Sequence, residues 1–124
     1  MALPEALYHQ IDMDESTLEG LARHGDDPER EHAVEHHFFA PTSAPLYELC
    51  ALGRKLGFQP SQIEQGVAEK GDKYFYCDLV STARVTRPLV YRESLLMHLL
   101  GESYGAEYDG WGTLVQKGRG AVEQ

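Results

Sequence analysis

The apolar pattern of this chain switches repeatedly between a repeat of about 3.6 residues and a repeat of two, and the order of the switches leaves few folds open. From Asp14 to His24, Leu18, Leu21 and Ala22 share one side of a predicted helix, with acids in its first turn. Gly25 and the run Asp26-Asp27-Pro28 predict its end and a turn. Residues 31–39 then alternate: His32, Val34, His36 and Phe38 fall on one side, and Ala33, Glu35, His37 and Phe39 on the other. Pro41 through Pro45 opens a second helix, with Thr42 or Ser43 as N-cap. It carries Leu46, Leu49, Cys50, Gly53 and Leu56 at helical spacing and stops at Gly57. Phe58 to Glu64 reads as a strand, which Pro60 assigns to a sheet edge. After the turn Lys70-Gly71-Asp72, the run from Tyr74 to Val80 is dense in aromatic and branched residues and gives the strongest strand signal. Pro88 starts a last helix with Leu89, Leu95, Leu96, Leu99 and Leu100, closed near Gly105.

After the first helix the order is therefore βαββαβ. That is the ferredoxin-like α+β arrangement, an antiparallel sheet with helices on one face and spatial strand order 4-1-3-2, here preceded by an N-terminal helix. A length of 124 residues fits one domain. The reading divides the chain into an N-terminal segment 1–13 of sparse apolar positions, a domain over 14–116 and a short C-terminal tail over 117–124.

The composition, 42% apolar and 25% charged, is that of a soluble globular chain. No stretch has the length of a membrane span, and the N-terminus lacks the basic-then-apolar run of a signal peptide, so a cytoplasmic protein is expected. Cys50 and Cys77 fall at apolar positions of a helix and a strand and read as reduced core thiols; no CxxC spacing supports a zinc site. The net charge is -9, and residues 1–40, with ten acids against two bases, hold nearly all of it. Such a chain repels phosphate backbones and favours basic partners, which argues against direct nucleic-acid binding. The acidic stretch itself reads equally well as a solvated helix and turn or as a docking segment.

The run Glu107-Tyr108-Asp109-Gly110-Trp111-Gly112-Thr113 holds the single tryptophan. One reading is a closing strand whose glycines seat a packed helix and whose Trp is half buried; the other makes its acidic and aromatic side a recognition surface. Strict alternation puts Glu107, Asp109, Trp111 and Thr113 on one face. With Val34, Phe38, Phe75, Cys77 and Leu79 turned to the helices, the uncovered face gathers Glu35, His37, Tyr76, Asp78, Asp109 and Trp111. Catalysis is disfavoured there, because no nucleophile motif or phosphate-cradling glycine loop accompanies the histidine. A metal site is disfavoured because His36 and His37 point to opposite sides of a strand. RNA-binding sheets interleave aromatics with basic residues, whereas these aromatics sit among carboxylates. Protein binding fits best, with Trp111 as an aromatic anchor.

Together with Gly25-Asp26-Asp27-Pro28, Glu35-His36-His37 and Cys77-Asp78-Leu79, the 107–113 run resembles the regulator of ribonuclease activity B (RraB) family. The likeness is gapless from the first helix through Phe58 and resumes from Gly71 to about Val115. It implies a ferredoxin-like fold and a small, acidic, non-enzymatic bacterial inhibitor of the endoribonuclease RNase E, bound through a basic segment of that enzyme. Partner-binding residues are then Glu35, His37, Tyr76, Asp78, Glu107, Asp109 and Trp111, with no cofactor, metal or catalytic residue. The best-known members carry a long acidic tail where this chain has a short segment with Lys117 and Arg119. The alternatives are an interaction module of the same fold with another partner, or a small enzyme or metal protein. Monomer and homodimer both stay open.

Overall fold

Helix α1 spans Glu5–Arg23 in the computed structural model, which describes residues 4–118. It begins well before Asp14, inside the segment read from sequence as separate. The side it turns inward carries Leu7, Gln10, Asp14 and Leu21, and its two polar members interrupt the apolar repeat by which a helix is recognised. Gly25, at φ +83°, ends the turn after α1. The Asp27 carboxylate then accepts the Glu29 N–H at 3.0 Å, the local bond that makes Asp a turn residue.

Strand β1 (His32–Ala40) follows, then α2 (Ala44–Lys55), two short strands β2 (Gln59–Pro60) and β3 (Glu64–Val67), β4 (Lys73–Ala83), α3 (Arg87–Tyr104) and β5 (Glu107–Gly112). All pairings are antiparallel, in the order β2-β4-β1-β5, with β3 also on β4. Counting β2 and β3 as one interrupted edge strand, this is the predicted ferredoxin-like order. The strand expected over Phe58 to Glu64 breaks after Pro60, which has no N–H to give a ladder. Ser61 fills the gap: its N–H donates to the Asp78 carbonyl at 2.9 Å, and its Oγ accepts the Asp78 N–H at 2.8 Å.

The helices share one face of the sheet. Helix α2 lays Leu46, Leu49 and Cys50 against Phe38, Cys77 and Leu79, and α3 adds Met97. Full burial of each such leucine stabilises the fold by roughly 1.5–3 kcal/mol. Close approach depends on Gly53, where a Cβ would stand 2.8 Å from a Leu79 methyl. A second cluster joins Leu21, Val34, Val85, Val90 and Trp111 under α1 and the start of α3. The leucine stripe expected on α3 is not its inner face. Val90, Ser94, Met97 and Gly101 are buried, while Leu96 and Leu99 are exposed.

Beyond β5 the chain returns to the turn after α1. The Asp27 N–H donates to the Gln116 carbonyl at 2.7 Å, Asp26 Oδ1 accepts the Gln116 N–H at 2.8 Å, and Arg30 reaches the Lys117 carbonyl. The start of the expected tail is thus tied down; Arg119 and the rest of it lie outside the described residues. Among the described residues no helix is long and apolar enough to cross a membrane.

Candidate protein-docking face

The uncovered face is built by strand register. Glu64 on β3 pairs with Tyr76 on β4, Tyr76 with Phe39 on β1, and Phe39 with Glu107 on β5, so four side chains form a row across the sheet. One step along β1, His37 lies opposite Asp78, and its Nδ1 is 2.8 Å from Asp78 Oδ1. Tyr76 is 40% exposed, and its ring centroid lies 5.9 Å from that of Tyr74. Tyr74 folds over Gly66, where a Cβ would come within 2.5 Å of the phenol ring. At the end of this face a groove of about 820 Å³ opens between Phe39, Pro41, Tyr74, His98, Glu102 and Glu107.

Glu35, His37, Tyr76, Asp78, Glu107 and Asp109 all stand on this face, as alternation predicts. Glu64 joins them and was missed, because the break at Pro60 hid the phase of β3. No Lys or Arg occupies a strand position on this side, and no cation pairs with Glu35, Glu64, Glu107 or Asp109 among the described residues. Five carboxylates therefore surround three aromatic rings. Electrostatically, such a surface attracts a cation-rich ligand and repels a polyanion.

Trp111 does not stand there. It is 7% exposed and sits in the cluster beneath α1, its indole N–H donating to Asp14 Oδ1 at 2.9 Å. The cause is a β-bulge. Phe38 pairs with Tyr108 and His36 with Trp111, so one residue of β1 faces two of β5. Gly110 takes up the extra residue at φ +86°, a region open to glycine at little steric cost. Glu107 and Asp109 keep the outward phase before the bulge, and the phase reverses after it. The expectation of an exposed indole anchor is corrected: Trp111 is a core residue with a polar handle.

On the covered face the described polar groups form three closed networks. Asp14, fully buried, accepts from Gln10 at 3.0 Å, from Trp111 and from the Ser94 hydroxyl. Burial pushes its carboxyl above the ordinary value, against the pull of those hydrogen bonds. Beside it His36 bridges Tyr108 and Glu93, with Nδ1 2.8 Å from the phenol oxygen and Nε2 2.6 Å from Glu93 Oε1. Burial drives the Tyr108 hydroxyl upward, so the phenol keeps its hydrogen. Burial also opposes ionisation of Glu93, but the hydrogen bonds from His36 and Ser81 outweigh it and hold the carboxyl below its ordinary value. His32 is equally enclosed, between Asp26 Oδ1 and the Arg30 carbonyl, each at 2.7 Å. His36 points inward and His37 outward, as the alternation requires.

These networks account for much of the family-like sequence. Asp26 of the Gly25-Asp26-Asp27-Pro28 run holds His32 and the returning chain; His36 ties β1 to α3 and β5. Part of the acidity of residues 1–40 is thereby used internally, since Asp14 and Asp26 are enclosed and Glu15 makes two bonds to Arg87, at 2.7 and 2.9 Å. Sequence reasoning found His36 as a core histidine but not its partners, which are 57 and 72 residues away.

The sequence matches the family described as regulator of ribonuclease activity B over residues 11–113. Proteins of that name from Salmonella typhi and Escherichia coli (strain K12) are 32% and 31% identical over 120 residues, 97% of this chain and 87% of theirs. One from Colwellia psychrerythraea (strain 34H) is 31% identical over 116 residues, 93% of this chain and 99% of its own length.

Proposed function

The chain belongs to the regulator of ribonuclease activity B family, and from that premise we propose that it is a cytoplasmic, non-enzymatic protein that binds and inhibits the endoribonuclease RNase E. The docking surface is the open face of the sheet, carried by Glu35, His37, Glu64, Tyr76, Asp78, Glu107 and Asp109. One observation supports this reading above others: among the described residues, five carboxylates surround the exposed Tyr76 ring and the half-buried Phe39 and Tyr74 on a face whose strand positions hold no lysine or arginine, while the buried polar groups of the other face are satisfied internally. The ligand it fits is a basic, arginine-rich segment of the enzyme. Guanidinium groups pair with carboxylates in bidentate fashion and stack on aromatic rings. Opposite charge speeds encounter and makes binding sensitive to salt.

Titration of an arginine-rich RNase E segment at several salt concentrations, followed by an RNA-cleavage assay with the intact enzyme, tests the proposal. Binding that weakens with salt, together with slower cleavage, supports it. Salt-insensitive binding removes the electrostatic face from the account, and binding without slower cleavage removes inhibition.

A further inference from the structure

Two thiols meet across the helix–sheet interface. Cys50 of α2 and Cys77 of β4 are both free, with Sγ atoms 3.6 Å apart. A disulfide needs about 2.05 Å, so roughly 1.5 Å of approach separates contact from a bond. We propose that this pair is an oxidant-responsive site, in which a peroxide oxidises Cys50 and Cys77 then closes an intramolecular disulfide.

The two sulfurs are not equivalent. Cys50 borders a surface cleft of about 600 Å³ flanked by Tyr47, Arg54, Pro60 and Gln62, whereas Cys77 is 2% exposed at the centre of the sheet. A small peroxide therefore reaches Cys50 first. Arg54 stands one helical turn along α2, and Asp78 adjoins Cys77 in β4. The hydrogen bond with Cys77, together with the Arg54 charge, pulls Cys50 below the ordinary thiol value against its burial. Cys77 is pushed the other way by that same bond, by burial and by negative charge from Cys50 and Asp78. The geometry and the charges agree on which sulfur attacks.

The chemistry balances with hydrogen peroxide as oxidant. The Cys50 thiolate attacks one peroxide oxygen, the O–O bond breaks, hydroxide leaves, and sulfur becomes a sulfenic acid. The Cys77 sulfur, giving its proton to hydroxide, then attacks Cys50 Sγ. The S–O bond breaks, the S–S bond forms and a second hydroxide leaves, taking up a proton. Two thiols and one peroxide yield one disulfide and two waters.

The test uses the full chain treated with one equivalent of hydrogen peroxide. Intact mass spectrometry is expected to show loss of two hydrogens in the monomer, with a single cross-linked peptide pair containing Cys50 and Cys77, both reversed by dithiothreitol. In Cys77→Ala, dimedone traps a sulfenic acid on Cys50; in Cys50→Ala, Cys77 stays unmodified. Wild-type protein whose two thiols remain fully alkylatable after peroxide overturns the proposal, as does a cross-link between chains. Dimedone labelling of Cys77 in Cys50→Ala overturns the assigned order of attack. The wild-type readout needs no variant, and it stands whether or not the open face binds a ribonuclease.

Discussion

The two faces of one sheet treat their polar side chains in opposite ways. On the covered face Asp14, His32, His36, Glu93 and Ser94 are each held by partners from other elements, and among the described residues no buried side-chain polar atom lacks one. On the open face, among the described residues, only His37 and Asp78 pair, and four carboxylates face water without a cation. Satisfied buried polar groups hold a fold together, and removing one partner leaves the other desolvated at a cost. Unpaired surface carboxylates do little for stability. Polar residues thus serve folding on one side of the sheet and are free for recognition on the other.

Substitutions on the two sides should therefore change different measurements. The largest effect is expected from Trp111→Ala, which empties a core position and removes a donor from Asp14. It should cost about 3–5 kcal/mol of stability, read in guanidinium unfolding followed by circular dichroism, since the variant has no tryptophan. A cost below about 1 kcal/mol would mean that the indole does not serve the covered face. Tyr76→Ala should show the reverse pattern, with near-unchanged unfolding but a loss of about 2 kcal/mol of affinity for the arginine-rich segment if the ring is a hot spot. Equal affinity in a folded variant would move the docking surface elsewhere.

Gly110→Ala tests the bulge that separates the two phases of β5. It places a Cβ at positive φ, 3.3 Å from the Met13 methyl, and should cost about 1–2 kcal/mol. Urea unfolding matching wild type would show that the strand has another way to absorb its extra residue.

Acid sharpens the contrast within the covered face. Glu93 is held below its ordinary 4.5, so its stabilising contribution is complete above that value and is lost as pH falls through the lower, folded-state value. Asp14 is raised above its ordinary 3.8, so its contribution is complete below that value and declines as pH rises through the folded-state value. In unfolding series between about pH 3 and pH 7, Glu93→Gln should fall short of wild type at neutral pH and converge with it in acid. Asp14→Asn should compare worst in acid and improve relative to wild type toward neutrality. Parallel curves would contradict both assignments. The smallest effect is expected for Asp109→Asn, which should leave stability within about 0.5 kcal/mol while slowing association and flattening its salt dependence. Stopped-flow binding at two salt concentrations reads this directly.

Much of this was legible in the chain. Glycines 25, 57 and 105 end the helices at positive φ as the turn signals predict, and the strand order follows from the order of repeats. The failures have physical causes. Apolar periodicity misses the first turns of α1, whose inner face includes Gln10 and Asp14, and it finds α3 but not its inner face, which uses Ser94 and Gly101 while two leucines point outward. A period of two has no memory of an inserted residue, so it carried Trp111 to the wrong side. A glycine inside a strand marks either a bulge or a close backbone approach, and it does not say which side chains a bulge would reverse. The partners of His36 depend on how three elements, β1, β5 and α3, come together and leave no local trace.

The interruption at Pro60 has a further consequence. A sheet edge invites another chain to add as a strand, and proteins resist this with short edges, prolines and bulges. Here one edge consists of two fragments separated by residues 61–63, where the Ser61 side chain has taken the Asp78 N–H. The other is β5, six residues long and kinked at Gly110. Neither offers a long, straight row of free backbone groups. A partner strand cannot be templated in register by this sheet, so attachment must rest on side chains presented from the face. In the proposed complex such contacts would tolerate sliding of a basic segment along the surface, and selectivity would follow from the spacing of its charges more than from an aligned backbone.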